Sequence, residues 1–152
     1  MVGAFVLGRG SMNHEGLEVH QGHEGDRGNI DREEVARQVI GMAIKIHRAV
    51  GPGLFEHTYQ DCLEFELERA GLRFESEVEL HLFYEGNRFP RCYRADIIVE
   101  NAVVLEIKTV DKILPIHETQ VLTYLRLSGC HIGLLLNFNT VLLKHGLRRF
   151  VA

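Results

Sequence analysis

Asp96, Glu106 and Lys108 are the residues of this 152-residue chain whose types and spacing could do chemistry. They lie in YRADIIVENAVVLEIKT, residues 93–109, which reads as two short strands joined at Glu100-Asn101-Ala102. Side chains alternate along a strand, so Asp96 and Ile98 share one face and Ala95, Ile97 and Val99 the other. Glu106 and Lys108 likewise oppose Leu105 and Ile107. With a three-residue loop over 100–102, Val99 pairs with Val103 and Asp96 falls opposite Glu106. A plain two-residue loop would send the two acids to opposite faces. Directly opposed residues have Cβ atoms roughly 4.5–5.5 Å apart, and like charges there repel.

Two carboxylates held that close call for a cation. Either Lys108 supplies it, in a cross-strand salt-bridge cluster, or a hard divalent ion does, bound by carboxylate oxygens and water. Alternation alone favours the salt-bridge cluster. Ile98 and Val104 shift the balance, because apolar residues on the same face imply a covering helix. Covered charges are costly unless paired or metal-bound. In the metal reading Lys108 would orient or deprotonate a water, or stabilise charge developing on phosphorus.

Other elements must bring groups to this hairpin. Asp31 and Glu34 read as an N-cap and its capping-box acid. Val35, Val39, Ala43, Ile46 and Val50 then recur at helical intervals up to the break Gly51-Pro52-Gly53. A second helix is predicted over about 54–70, with Phe55, Tyr59, Leu63 and Leu67 on one stripe and Gly71 as its stop. Its first turn carries Glu56, an acid that the helix dipole alone would favour there. Strands are predicted over 78–84, 89–100 and 103–109. A helix over about 117–128 places Gln120 and Tyr124 on one face, with His117 three residues earlier. That strip is either a solvated face or one that reaches a substrate phosphate or water. HIGLLLNF, residues 131–138, is apolar almost throughout, the mark of a strand covered on both faces. A last strand is predicted over 141–151. The third strand, the helix and HIGLLLNF form a β-α-β unit, so those two strands should run parallel. The expected fold class is α/β (α+β, mixed sheet), in the order α-α-β-β-β-α-β-β, with an N-terminal helix hairpin packed on the sheet.

Composition narrows the setting. No apolar run approaches the roughly 18–20 residues that span a bilayer. The start, MVGAFVLGRGS, lacks the basic n-region and long h-region of a signal peptide. Cys62, Cys92 and Cys130 are odd in number and form no CxxC pair, which suits reduced thiols and a cytoplasmic location. Residues 1–30 are rich in Gly, His and acids without a hydrophobic period, so a disordered leader is expected ahead of one domain over 31–152. Its His14, His20 and His23 could take up a metal adventitiously. Charge is unevenly spread: seven acids and three bases over 1–34, nine and five over 35–87, five and nine over 88–152. The part holding the charged hairpin is basic, which suits a polyanionic partner without requiring one.

Gly53-Leu54-Phe55-Glu56-His57-Thr58-Tyr59 fits a GxxExxY pattern. From about Ile40 to Phe150 the GPG break, YRADIIVE, LEIKT, Gln120 with Tyr124, and GLLLNF follow in an order that resembles the bacterial GxxExxY family. That family resembles compact PD-(D/E)xK nucleases, with a restriction-endonuclease-like αβββαβ core. The resemblance implies metal-binding roles for Asp96 and Glu106, with Glu56 as the acid from the first core helix. Lys108 would be the catalytic lysine and Gln120 the helix glutamine beside the site, with Tyr124, Tyr59 and His117 positioning substrate. Ala95 stands where the superfamily's name has proline. The implied activity is metal-dependent phosphodiester hydrolysis on nucleic acid; Mg²⁺ or Mn²⁺ as the ion and DNA as the substrate are this reading's expectation. The alternatives are a non-catalytic module on the same fold that binds nucleic acid or a protein, and a structural domain in which Lys108 neutralises both acids. A chain this small, with no separate recognition domain, leaves room for a homodimer or a protein partner.

Overall fold

The computed structural model describes residues 31–152; the leader expected over 1–30, with His14, His20 and His23, lies outside the described residues. Helix α1 (Arg32–Val50) begins where Asp31 caps it, its carboxylate accepting the N–H groups of Glu33 at 3.0 Å and Glu34 at 3.4 Å. Those are two of the four donors that a helix start leaves open. Gly51 and Gly53, at φ 70° and 98°, then turn the chain through conformations that other residues rarely adopt. Helix α2 (Glu56–Arg69) starts two residues after the expected Leu54. Phe55 is an extended N-cap, and the Leu54 N–H is taken by the Tyr59 hydroxyl.

Five strands follow in the spatial order 1-2-3-4-5: β1 (Phe74–Tyr84), β2 (Asn87–Val99), β3 (Val103–Lys108), β4 (Ile132–Asn137) and β5 (Leu147–Val151). Neighbours are antiparallel except β3 and β4, which run parallel as expected and are joined by helix α3 (Pro115–Ser128). Helices α1 and α2 cover one face, packing Tyr59, Leu63 and Leu67 against Ile97, Leu105, Leu134 and Leu136. On the other face Tyr124 and Leu125 of α3 pack with Ile98 and Val104. The helix that those two apolar residues demanded is therefore present. Every residue of β4 is buried, as its unbroken apolar run requires.

The structure corrects three expectations. The segment 141–151 is not one strand: a short helix α4 (Leu143–Gly146) precedes β5. Gly146 packs so tightly on β4 that a Cβ there would collide with the Asn137 carbonyl. β1 begins at Phe74 rather than Val78, because Glu77 is kinked at φ 54° and breaks the alternation that marks a strand. Phe74 packs on the α1–α2 side, whereas Val78 and Leu80 pack on the α3 side. Across from the kink Ala95 likewise faces α3, while Ile97 faces α1 and α2, so these two do not share a face as expected. The pairing skips Glu77 and Asp96 but resumes in the same register, with Ser76 opposite Ile97 and Val78 opposite Ala95.

Gly146→Ala should cost about 3 kcal/mol, since the clash is with backbone that cannot rotate away. Urea unfolding should show a lower midpoint at an unchanged slope, and an unchanged midpoint would refute this packing.

Candidate active site

The hairpin register is the expected one, with Val99 opposite Val103 and Ile97 opposite Leu105. Its turn places Glu100 and Asn101 at φ 51°, and the Ala102 N–H bonds the Val99 carbonyl at 3.0 Å. Neither turn residue is glycine, so something must hold them in the left-handed region. Arg73 does this for Glu100. Its guanidinium meets the carboxylate at 2.7 Å, its N–H reaches the same carboxylate at 2.8 Å, and its carbonyl accepts the Glu100 N–H at 2.9 Å. Ala102 is the extra residue that makes the loop three long.

Continued by one pair, this register sets Asp96 opposite Glu106, but the backbone ladder stops at Ile97 and Leu105. In its place Asp96 Oδ2 accepts the Ile107 N–H at 2.7 Å. A carboxylate has taken over the work of a carbonyl, which fixes the acid while the two backbones part. Glu106 is only 4% exposed. Its Oε1 meets Lys108 Nζ at 2.8 Å, and its Oε2 is buried with no hydrogen-bond partner.

Burial pushes Asp96 up to about 6, against the Ile107 N–H that favours its charged form, with Glu77 and Glu56 adding to the rise. Glu106 is pushed up to about 7 by burial and then by the charge of Asp96, with Lys108 opposing. One lysine therefore does not neutralise the pair. A further cation would return both acids to their charged forms.

The donor set fits a hard divalent ion. It offers two carboxylates, one with an unpartnered oxygen, and no sulfur or imidazole. Among the described residues no three His, Cys, Asp or Glu side chains gather into a ready-made cage. Mg²⁺ does not require one, since it commonly takes one or two carboxylates and fills its shell with water and substrate phosphate.

The remaining expected residues divide. Glu56 is exposed in the first turn of α2, and its charge contributes a little to the rise at both Asp96 and Glu106. Gln120 donates to the Tyr124 hydroxyl at 2.5 Å. Burial, and then the charge of Glu106, raises the Tyr124 phenol, so it stays neutral close enough to feel the carboxylates. Tyr59 does not join them. It is 0% exposed, its hydroxyl donates to the Gly51 carbonyl at 2.6 Å, and its ring stacks on Phe138 at 4.2 Å. It pins the GPG turn to the core and has no surface to offer a substrate. The His117 ring is also engaged, its Nδ1 accepting the Leu114 N–H at 3.0 Å as a cap of α3. Tyr59 therefore sits in the core beneath the turn, and half-buried His117 sits at the start of α3.

Two residues beside the site were not anticipated. Gln60 donates to Glu77 at 3.0 Å and lies 3.5 Å from the Asp96 carbonyl. Glu77 in turn meets Arg94 at 2.7 Å. Gln60 could have been found as the residue four after Glu56, one turn along the same helix face. Glu77 carried no such signal, because its kink is invisible in the sequence.

Because both acids hold protons that the unfolded chain releases, the folded state binds more protons between about pH 4 and 7, and stability falls as pH rises through that range. At roughly 1.4 kcal/mol per pKa unit, the coupled pair amounts to a few kcal/mol. In EDTA the protein should melt at lower temperature at pH 8 than at pH 5. Asp96→Asn with Glu106→Gln should flatten this dependence, and an equal slope in that variant would place its origin elsewhere.

The sequence matches the PD-(D/E)XK nuclease superfamily over residues 33–150. No curated protein matches it. A solved structure, "Crystal structure of SSO0001", is 23% identical and covers 93% of this chain and 75% of its own, at a TM-score of 0.45. The family match spans nearly all the described residues, and the mixed α/β architecture agrees with a restriction-endonuclease-like fold. With Asp96 set against a Glu106-x-Lys108 strand on that fold, the chain belongs to the PD-(D/E)XK nuclease superfamily.

Proposed function

We propose that this protein is a divalent-metal-dependent nuclease that hydrolyses phosphodiester bonds in DNA. The GxxExxY pattern at Gly53–Tyr59 suits a compact branch of the superfamily. The observation that carries the reading is the unpartnered, buried Oε2 of Glu106 opposite Asp96. A buried carboxylate oxygen without a partner costs roughly 1–3 kcal/mol or more, and a cation between the two acids would remove that cost.

Asp96 and Glu106 would hold Mg²⁺ or Mn²⁺, with Glu56 joining through water. When bound, the ion would supply a nucleophilic water near neutral pH and offset charge on the phosphate. Lys108 Nζ donates to Glu106 Oε1 at 2.8 Å, which fixes that carboxylate's orientation. Its other N–H groups remain to hold the attacking water or a phosphate oxygen. Gln120 and Tyr124 would exclude bulk water beside the carboxylates, and low dielectric would strengthen the charge interactions there. Free thiols at Cys62, Cys92 and Cys130 support a reducing compartment such as the cytoplasm.

Lys108→Ala should keep Mn²⁺ binding by calorimetry while lowering kcat for plasmid cleavage by about 10²-fold or more. Asp96→Asn should lose both. Cleavage that survives both substitutions, or a wild-type protein that takes up no Mn²⁺, would refute the proposal. Running DNA and RNA substrates in parallel decides the class of nucleic acid.

A further inference from the structure

The carboxylates of Glu56, Glu77, Asp96 and Glu106 outnumber the cations around them, and Lys108 is already engaged by Glu106. A phosphodiester must enter that negative site, so attraction for a polyanion has to come from neighbouring cations. β2 provides them. All eight of its residues from Asn87 to Arg94 are exposed, whereas Ala95–Val99 are buried or half-buried. The exposed stretch contains Arg88, Arg91 and Arg94, no acid, and the exposed aromatic residues Phe89 and Tyr93.

The three arginines lead away from the site in order. Arg94 lies two residues before Asp96 and is parked on Glu77 at 2.7 Å, with the two side chains 67% and 45% exposed. So exposed a pair contributes little, roughly 0–1 kcal/mol, and a phosphate can replace the carboxylate at small cost. Arg91 occupies a bulge, where β2 runs four residues from Tyr93 to Phe89 while β1 runs two from Leu80 to Leu82. Its φ is 55°, and its N–H is taken by His81 Nδ1 at 3.2 Å. Arg88 lies opposite Phe83, one pair from the ribbon tip. At about 3.3 Å per residue, Arg88 and Arg94 are roughly 20 Å apart along the strand, less the bulge. That is the length of about six nucleotides of one strand at 3.4 Å each.

We infer that Arg94, Arg91 and Arg88 form a phosphate-tracking stripe by which the β1–β2 ribbon holds nucleic acid on one side of the scissile bond. This rests on the nuclease reading and names the surface through which that site acquires its substrate. Arg94 exchanges Glu77 for the phosphate nearest the carboxylates, and Arg91 and Arg88 take phosphates further out; Phe89 and Tyr93 lie on the other face of the ribbon, opposite Leu82 and Leu80, with Tyr93 edge-on to Tyr124 at 6.1 Å. A two-stranded ribbon is also narrow enough to enter the major groove of a duplex.

The test is fluorescence anisotropy with a 20-base-pair duplex over a salt series, comparing wild type with R88A/R91A/R94A and R88K/R91K/R94K. The alanine variant should bind at least tenfold more weakly, and its slope of log K against log salt should fall by about two to three. The lysine variant should regain most of the slope. In parallel, R88A/R91A should hydrolyse a small phosphodiester, bis(p-nitrophenyl) phosphate, within twofold of wild type with Mn²⁺ while its KM for DNA rises. An alanine variant with wild-type affinity and slope would overturn the stripe, even if DNA cleavage is normal, and would leave the ribbon to a protein partner. A wild type that hydrolyses neither substrate but shows the stripe-dependent affinity would overturn the nuclease reading and keep the stripe. Circular dichroism of each variant separates lost binding from lost fold.

Discussion

Asp96 and Glu106 face each other on a covered sheet at the point where their strands stop pairing, and much of the structure follows from that placement. Two carboxylates there repel, and burial raises both. The chain tolerates them because each has a specific restraint: Asp96 takes the Ile107 N–H, and Glu106 takes Lys108. Neither restraint satisfies Glu106 Oε2. What remains unsatisfied is oxygen, negative when ionised, and fixed in place. Those are the properties that a hard cation recognises.

The opposition of the acids depends in turn on a register set elsewhere. Shifting a strand by one residue moves all its side chains to the other face. Here the count is fixed by a turn whose two left-handed residues are not glycine, held by the Arg73–Glu100 clamp. Because Arg73 lies just before β1, the strand on the far side of β2 helps set how β2 meets β3. The kink at Glu77 serves the same end from the other direction. It interrupts the β1–β2 pairing directly across from Asp96, so the acid is released from the ladder on both sides at once.

The parts of this fold that rest on periodicity were legible in the sequence. The capped α1, the two-sided burial of β4, the parallel β3–β4 pair and the even register of the hairpin all express side-chain alternation or turn length. The covering helix could be inferred from Ile98 and Val104, since two apolar residues beside two acids make sense only beneath something. The failures have a common cause. Glu77 and Gly146 act through backbone geometry: one breaks alternation without breaking register, and the other is small because a carbonyl lies against it. Tyr59 is a different case. Its place in a motif suggested chemistry, yet its hydroxyl ties down the turn that the motif's own glycines create. Glu56 and Tyr59 share one helix turn, but Glu56 is exposed and Tyr59 is buried in the core.

β3 is held very unequally on its two sides. Toward β4 the pairing runs unbroken from Val103 to Lys108, which lies opposite Asn137. Beyond it the Asn137 amide continues the ladder as a side chain, donating to the Val110 carbonyl at 2.8 Å and accepting the Val110 N–H at 3.0 Å. Asn137 is thus the polar exception that ends an apolar strand. Toward β2 the backbone pairing ends at Leu105, and only a carboxylate reaches across. A strand fixed along one edge and freed along the other can present Glu106 and Lys108 without giving way when a charged ligand pulls on them. The parted edge supplies the opening, and the closed edge supplies the rigidity that preorganised charge requires. Had both edges been paired, backbone would fill the space between the acids; had both been open, nothing would hold them at a fixed distance.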